Sequence, residues 1–482
     1  MIKYILFIIF IYLVTIKNLY IYQLQYYDYR RLIKVKIKNI NYNFLYFIPF
    51  IIVDFINNNS LLILSILFLN LILIEKDYRL PKLKYTNRII RLISIIMLIS
   101  LSVIIIFNKY IIFISVILFL LNTLLIFISN IIDYPYRLLI NIKEVSKVKR
   151  KLKHINPVVI GISGSYGKTS FKNYLSILLK SKYNVLKVEG NINTFKGVVS
   201  YLNKYLDSNI NILIVEIGLD KKGGMNKFLK VFNFDYGVLT GIEKCHLATF
   251  KSIENIINEK MKLIQNSKYG LVNIDNNYLK EVESDTYSLL DLEYLKYEEN
   301  QMLFKLRNDN LEYKTYIVGD QHILNIIGAM KLAKKLNIDD NLLKQEIIKL
   351  QVEKHRYEIK YIDNLLVIDD GYNSNETSFK KALDSLKYFN KYKILMTPGV
   401  IELGKENSIV NYNLGLYAIN KVDEIVLIGN NSLSIKKALD DNNYLKYKYF
   451  NSFKEGLTYL KSIKDKDFIT LIENDLLDYY IN

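Results

Sequence analysis

The decapeptide GISGSYGKTS, residues 161–170, decides how the rest of the chain is read. It follows a β-branched run at residues 156–161 and precedes a stretch with helical patterning. Gly161, Gly164 and Gly167 permit a tight turn whose backbone N–H groups cradle an anion, and a helix opening near Lys168 points its positive end at the same place. The loop holding Gly164, Ser165 and Gly167 then surrounds the phosphates of a nucleotide. Lys168 reaches the β- and γ-phosphates, and Thr169 or Ser170 offers a hydroxyl to Mg2+. Ile162 stands where the strict form of this motif has its first glycine, so the match is a close variant. Downstream, the apolar run at residues 211–217 reads as a buried strand carrying Glu216 near its end, where a magnesium ligand belongs. Short β-branched runs alternating with helical stretches from residue 157 onward indicate an α/β fold with a parallel sheet.

Upstream of this loop the composition changes. The 482 residues carry a net charge of +18, and 51% of them are hydrophobic. Residues 1–155 hold 21 Lys/Arg against 6 Asp/Glu, and the remainder is nearly balanced, with 44 against 41. All 19 glycines lie at or after Gly161, and the first alanine is Ala248. A basic footprint for nucleic acid would accompany the catalytic part, so this distribution argues against a nucleic-acid partner. Cys245, the only cysteine, excludes an intrachain disulfide and a cysteine-based zinc ribbon.

Apolar runs at residues 4–16, 43–56, 60–74, 89–107 and 110–132 predict an α-helical membrane region at residues 1–135, with about five crossings. A crossing helix needs roughly 17–25 residues, which the last two runs supply outright. Basic loops alternating with very short neutral ones place the N-terminus outside and everything after Asp133 in the cytoplasm. The localisation expected is therefore a multi-pass protein of the cytoplasmic membrane, with membrane lipid as a partner. Two other readings stay open: a cleaved signal peptide in the first run and a re-entrant hairpin at residues 43–74. Intramembrane charge is confined to Asp54 and no Gly/Pro-broken helix pair occurs, so a transport pathway is not indicated. A basic linker at 136–155, a P-loop parallel-sheet ATPase domain at 156–350 and a smaller Rossmann-like α/β domain at 351–482 complete the expected order.

The segments GISGSYGKTS, GNINTFKGV (190–198), VEIG (215–218), GIEKCHLATFKSIENIINEKMKLI (241–264) and VNIDNN (272–277) follow one another in order. After them come GDQHILNIIGA (319–329), HRYEI (355–359), VIDDGYNSNETSFKKAL (367–383) and TPGVIELG (397–404). Over residues 156–482 this series resembles the Mur ligase family, most closely its D-alanyl-D-alanine-adding branch. The resemblance implies that Lys168 and Thr169 serve ATP, that Thr169, Glu216 and His246 hold Mg2+, and that Lys260 is carbamylated. It also implies nucleotide contacts from Asn273, the segment 275–277, Asn325, Arg356 and Asp369. Asn191, Asn193, Tyr372, Asn373 and Asn375 fall in loops that close over substrate. At residues 319–322 the family's Gly-x-His-Asn becomes Gly-Asp-Gln-His, which leaves Gln321 and His322 without an inherited role.

The activity implied is ATP-dependent peptide-bond formation. A carboxylate attacks the γ-phosphate, and an amine then displaces phosphate from the acyl phosphate. The expected substrates are a cell-wall precursor peptide and an amino acid or dipeptide. A poly-γ-glutamate synthase using the same ATP core is the enzyme rival. A P-loop membrane transporter or motor is the rival from another class.

Overall fold

The computed structural model describes residues 2–25, 27–30, 32–33, 83–107, 118, 121–243, 247–298, 300–307, 309–371, 375–401, 403, 406–463 and 467–474. The chain forms two compact units, Met1–Lys143 and Glu144–Asn482.

In the first unit, helices α1 (Ile2–Leu24) and α2 (Asn87–Ile106) pack around Ile11, Val14, Leu19, Ile89, Leu92 and Ile96. Thr86 opens α2 by accepting a hydrogen bond from the Ile89 amide, a standard helix start. A third helix, α3 (Asn122–Ile155), begins in this unit and runs through Pro135. Asn122 hydrogen-bonds Asn18 and Thr15, and the buried Asp133 is paired with Arg91 at 2.7 Å and Arg137 at 3.0 Å.

This unit corrects the membrane expectation. Among the described residues two helices, α2 and α3, are long and apolar enough to cross a membrane, a test that core helices of soluble proteins also pass. The runs at 43–56 and 60–74 lie outside the described residues. The last run and the basic linker meet in one continuous helix, with polar pairs buried along it. Apolar composition does not distinguish lipid contact from helix–helix packing, which requires it equally. The five-crossing, multi-pass assignment and its lipid partner are not supported.

The second unit carries the predicted α/β architecture. Six parallel strands lie in the order β2-β3-β1-β4-β5-β6: β1 (Val158–Ser163), β2 (Val185–Lys187), β3 (Ile212–Ile217), β4 (Phe234–Leu239), β5 (Ser267–Asn273) and β6 (Asp285–Tyr287). Central strands read as continuous apolar runs because helices cover both faces of a parallel sheet. Helix α4 (Lys168–Lys180) shows why: Phe171, Tyr174, Leu175, Leu178 and Leu179 recur at helical spacing and are all buried. Each contributes about 1.5–3 kcal/mol of burial. Helices α5 (Phe195–Tyr205) and α6 (Ile253–Gln265) bury Val198, Val199, Leu202, Ile256 and Leu263 in a second cluster. The last turns of α3 join that cluster through Val148, and Lys151 donates to the Asn203 and Leu206 carbonyls.

A three-stranded antiparallel sheet, β7 (Leu292–Glu298), β8 (Gln301–Leu306) and β9 (Glu312–Thr315), follows and leads into α7 (Asp320–Lys335). A third sheet has the order β10-β11-β15-β12-β13-β14. Its strands are β10 (Glu358–Ile362), β11 (Leu365–Asp370), β12 (Tyr392–Thr397), β13 (Glu424–Ile428), β14 (Tyr447–Phe450) and β15 (Phe468–Glu473), parallel except for β10. Helix α8 (Glu376–Ser385) follows β11.

Candidate active site

In an open parallel sheet the crevice lies at the carboxyl ends of the strands where chain direction switches, here between β1 and its neighbours β3 and β4. Register places Ile162 beside Glu216 and Ser163 beside Leu239, so the three ends are level. Gly161, expected in the turn, lies inside β1. A Cβ there would meet Leu263 and Phe234 at 2.8 Å, so this glycine serves helix packing. The turn itself uses Gly164 and Gly167. A Cβ on Gly164 would sit 2.2 Å from Thr240 Oγ1, and Gly167 has φ +77°. Gly167 precedes α4 with no side-chain cap, which leaves the first amides of the helix facing the loop.

Lys168 Nζ donates to the Gly164 carbonyl at 2.8 Å, folding over its own loop. Ser165 Oγ accepts from the Glu243 amide at 2.9 Å, which ties the loop to the segment after β4. Thr169 Oγ1 donates to Glu216 Oε1 at 3.3 Å, and Asn193 Nδ2 donates to the same oxygen at 3.2 Å. Glu216 is buried and ion-paired through Oε2 with the equally buried Lys172 at 2.9 Å. Lys172 also donates to the Gly190 carbonyl at 2.7 Å, so the loop bearing Asn191 and Asn193 is pinned against Glu216; Asn191 itself is exposed. Burial alone would raise the Glu216 pKa, but the charges of Lys172 and Lys168 outweigh it and hold the carboxyl ionised. An ionised carboxylate and a hydroxyl converging beside a phosphate loop are the hard oxygen donors that suit Mg2+.

Asn273 and Asn276 act as posts of the cleft wall. Asn273 Nδ2 donates to the Thr240 carbonyl at 2.8 Å, and Asn276 Nδ2 donates to the Ile242 carbonyl at 2.8 Å and to the Tyr166 hydroxyl at 3.0 Å. Asp275 accepts from Ser288 and from the Leu289 amide. Burial pushes the Tyr166 phenol up to about 12, so it stays neutral. Lys260 is buried on α6, where a charged ammonium is costly. His246, Tyr372 and Asn373 lie outside the described residues, as does Cys245.

The cleft is closed by groups from α7 and from the third sheet. Ser165, Tyr166, Gly167, Ser170, Thr240 and Asn273 form one wall; Gln321, His322 and Asn325 the floor; Arg356, Asp370, Asn375, Ser378 and Lys381 the other wall. Asn375 caps α8 by accepting from the Ser378 amide at 2.9 Å. His322 accepts or donates through Nδ1 to Tyr174 Oη at 2.6 Å, and burial lowers its pKa to about 4, leaving the imidazole neutral.

One expectation is displaced by a single residue. Asp369 does not line the cleft: its Oδ2 faces His355 Nδ1 at 2.7 Å and is paired with Lys360. Asp370 occupies the cleft instead. Side chains alternate along a strand, so adjacent residues of β11 face opposite ways and only one can reach the ligand side. Burial pushes the Asp370 carboxyl up to about 6 despite the opposing charge of Arg356. The acidic pair DD was visible in the sequence, but its parity was not. Lys172 and Lys381 also escaped notice, because lysines on amphipathic helices ordinarily face solvent.

Comparison with known proteins gives the same picture. The Mur ligase middle domain model matches residues 162–333. The UDP-N-acetylmuramoyl-tripeptide–D-alanyl-D-alanine ligase of Borreliella burgdorferi is 27% identical over 333 residues, covering 65% of this chain and 71% of the relative. The fold resembles MurF from Acinetobacter baumannii (TM-score 0.62, 20% identity, 70% of this chain and 77% of the other). It also resembles MurF ligase from Thermotoga maritima in complex with ADP (TM-score 0.62, 24% identity, 70% and 81%). With a phosphate loop, Glu216 beside it and a closing second wall, the chain carries a Mur ligase middle domain at residues 162–333, the domain of a family whose members are ATP-dependent amide-bond-forming ligases.

Proposed function

We propose that this enzyme adds D-alanyl-D-alanine, or a similar amino acid or dipeptide, to the peptide of a UDP-linked cell-wall precursor. The observation carrying the proposal is one cleft in which the phosphate loop (Ser165, Tyr166 and Gly167) faces Arg356 and Asp370, with Lys168 folded over that loop and Thr169 bonded to Glu216 directly after it. The name of the Borreliella burgdorferi relative supports the choice of substrates. In this reading Lys168 leaves the Gly164 carbonyl for the phosphates of ATP, and the α4 amides hold the same anion. Thr169, Glu216 and His246 are the residues that would hold Mg2+, which when bound would supply charge neutralisation for the transferred phosphoryl group. Arg356 and Asp370 hold the nucleotide from the opposite wall. The precursor carboxylate attacks the γ-phosphorus and ADP leaves. The amine then attacks the acyl carbon, loses a proton and expels phosphate.

Lys260 takes its place in this reading as a carbamate. Carbamylation of this buried side chain would replace an ammonium with an anion suited to binding or orienting Mg2+. Lys260→Ala then loses most activity and regains part of it with an added short carboxylate. Unimpaired turnover without additive would make the lysine a bystander. For the substrates, purified protein is supplied with ATP, UDP-muramyl tripeptide and either D-alanyl-D-alanine, single D-amino acids or glutamate. The expected result is a pentapeptide product by mass. Polymerised glutamate without precursor would favour the poly-γ-glutamate reading.

A further inference from the structure

The cleft contains a cation that the steps above do not use. Lys381 sits on α8, on the wall supplied by the third sheet, and its Nζ lies 5.2 Å from the centroid of the Tyr166 ring. Tyr166 belongs to the phosphate loop, between Ser165 and Gly167. Its ring is fixed by the Asn276 hydrogen bond, and its backbone carbonyl by Thr240. A cation seated on that ring therefore stands beside the phosphate cradle.

Neighbouring lysines behave differently. Lys380, one residue earlier on α8, is paired with Glu376 at 2.7 Å, and Lys172 is paired with Glu216. Among the described residues no carboxylate comes within ion-pair distance of Lys381. Asp275, Asp320 and Glu243 act on it only from farther away, and burial lowers its pKa. A largely desolvated ammonium resting on a π face, with no carboxylate partner, gains most from an anion entering the same cleft.

We propose that Lys381 is a second phosphate-binding cation of this cleft: its ammonium, poised over the Tyr166 ring, takes a phosphate oxygen of the nucleotide. The proposal rests on the reading of the cleft as the ATP site. It assigns the C-terminal wall a direct hold on the phosphate chain, complementary to that of Lys168 on the opposite wall. Because Tyr166 lies in the loop after β1 of the first sheet and Lys381 on α8, which follows β11 of the third, the contact also links nucleotide binding to the approach of the two walls.

Titration calorimetry on the full chain tests this with ATP, ADP and adenosine against wild type, Lys381→Met and Lys381→Arg. The methionine keeps the apolar stem over Tyr166, so fold and melting temperature are expected to be unchanged. ATP and ADP should bind Lys381→Met about tenfold or more weakly, adenosine within twofold of wild type, and Lys381→Arg should recover most of the loss. ATP affinity within twofold of wild type in Lys381→Met would overturn the proposal. Equal weakening of ATP and adenosine would overturn it too, since that reports cleft shape and not phosphate contact. Failure of the wild type itself to bind ATP would instead remove the nucleotide reading on which the proposal stands.

Discussion

The two walls of the cleft are built by the same device, parallel strands ending in polar loops, yet they differ in how much of their chemistry is written locally. On the phosphate-loop wall, Gly164, Gly167, Lys168 and Thr169 are consecutive or nearly so, and one strand–turn–helix unit positions them all. On the other wall, Arg356, Asp370 and Lys381 come from a linker, a strand end and a helix. The first wall is defined by a motif; the second is defined by which way each side chain faces. Contiguous motifs therefore transfer to structure residue by residue, whereas dispersed ones transfer only to within a position.

The largest effect should come from breaking the first wall. Lys168→Ala is expected to lower amine-dependent ADP release at least a hundredfold, a loss of about 3 kcal/mol of transition-state stabilisation. Near-normal turnover would remove the phosphate-loop assignment.

The floor between the walls gives the next effect. With the folded-state His322 pKa lowered to about 4 from 6.5, the unfolded chain binds more protons between those values. Stability from this group is thus fully present above pH 6.5 and lost as pH falls toward 4, by at most about 3 kcal/mol. Urea unfolding at pH 7 and pH 4.5 should show a smaller acid loss in His322→Asn than in wild type. Parallel losses would mean that the imidazole is not buried neutral.

Asp369 and Asp370 sharpen the comparison directly. Asp369→Asn should cost about 2 kcal/mol of stability while leaving the KM for ATP unchanged. That figure is below the range for fully buried pairs, since His355 and Lys360 remain partly exposed. Asp370→Asn should raise the KM for ATP about tenfold. Its folded-state pKa is raised, so the carboxyl's penalty to stability grows as pH rises from about 4 to 6, and the asparagine variant gains relative stability over that window. Exchanged phenotypes would restore Asp369 as the cleft residue. The smallest effect belongs to Asn375→Ala, where loss of the α8 cap should cost about 1 kcal/mol in thermal or urea unfolding.

Much of the fold was legible in the sequence because its signals are local. The strand at 158–163, the glycine turn, the amphipathic α4 and the apolar β3 with Glu216 all follow from spacing. Legibility failed where the deciding information is long-range. Apolar helices at the N-terminus read as five crossings, since composition does not say what covers a helix. The antiparallel sheet β7–β9, which no motif announces, went unseen. Asp369 and Asp370 differ only in the face each takes on its strand, which sequence spacing does not reveal, and Lys172 and Lys381 read as surface charges, although the fold buries one against Glu216 and brings the other to the cleft.

The central claim is that this cleft makes an acyl phosphate from ATP and a carboxylate. It is tested most directly by following oxygen. With the acceptor carboxylate labelled with oxygen-18, and with ATP and the amine supplied, one labelled oxygen should appear in the inorganic phosphate for each amide bond formed. Amide formation with unlabelled phosphate would contradict the account.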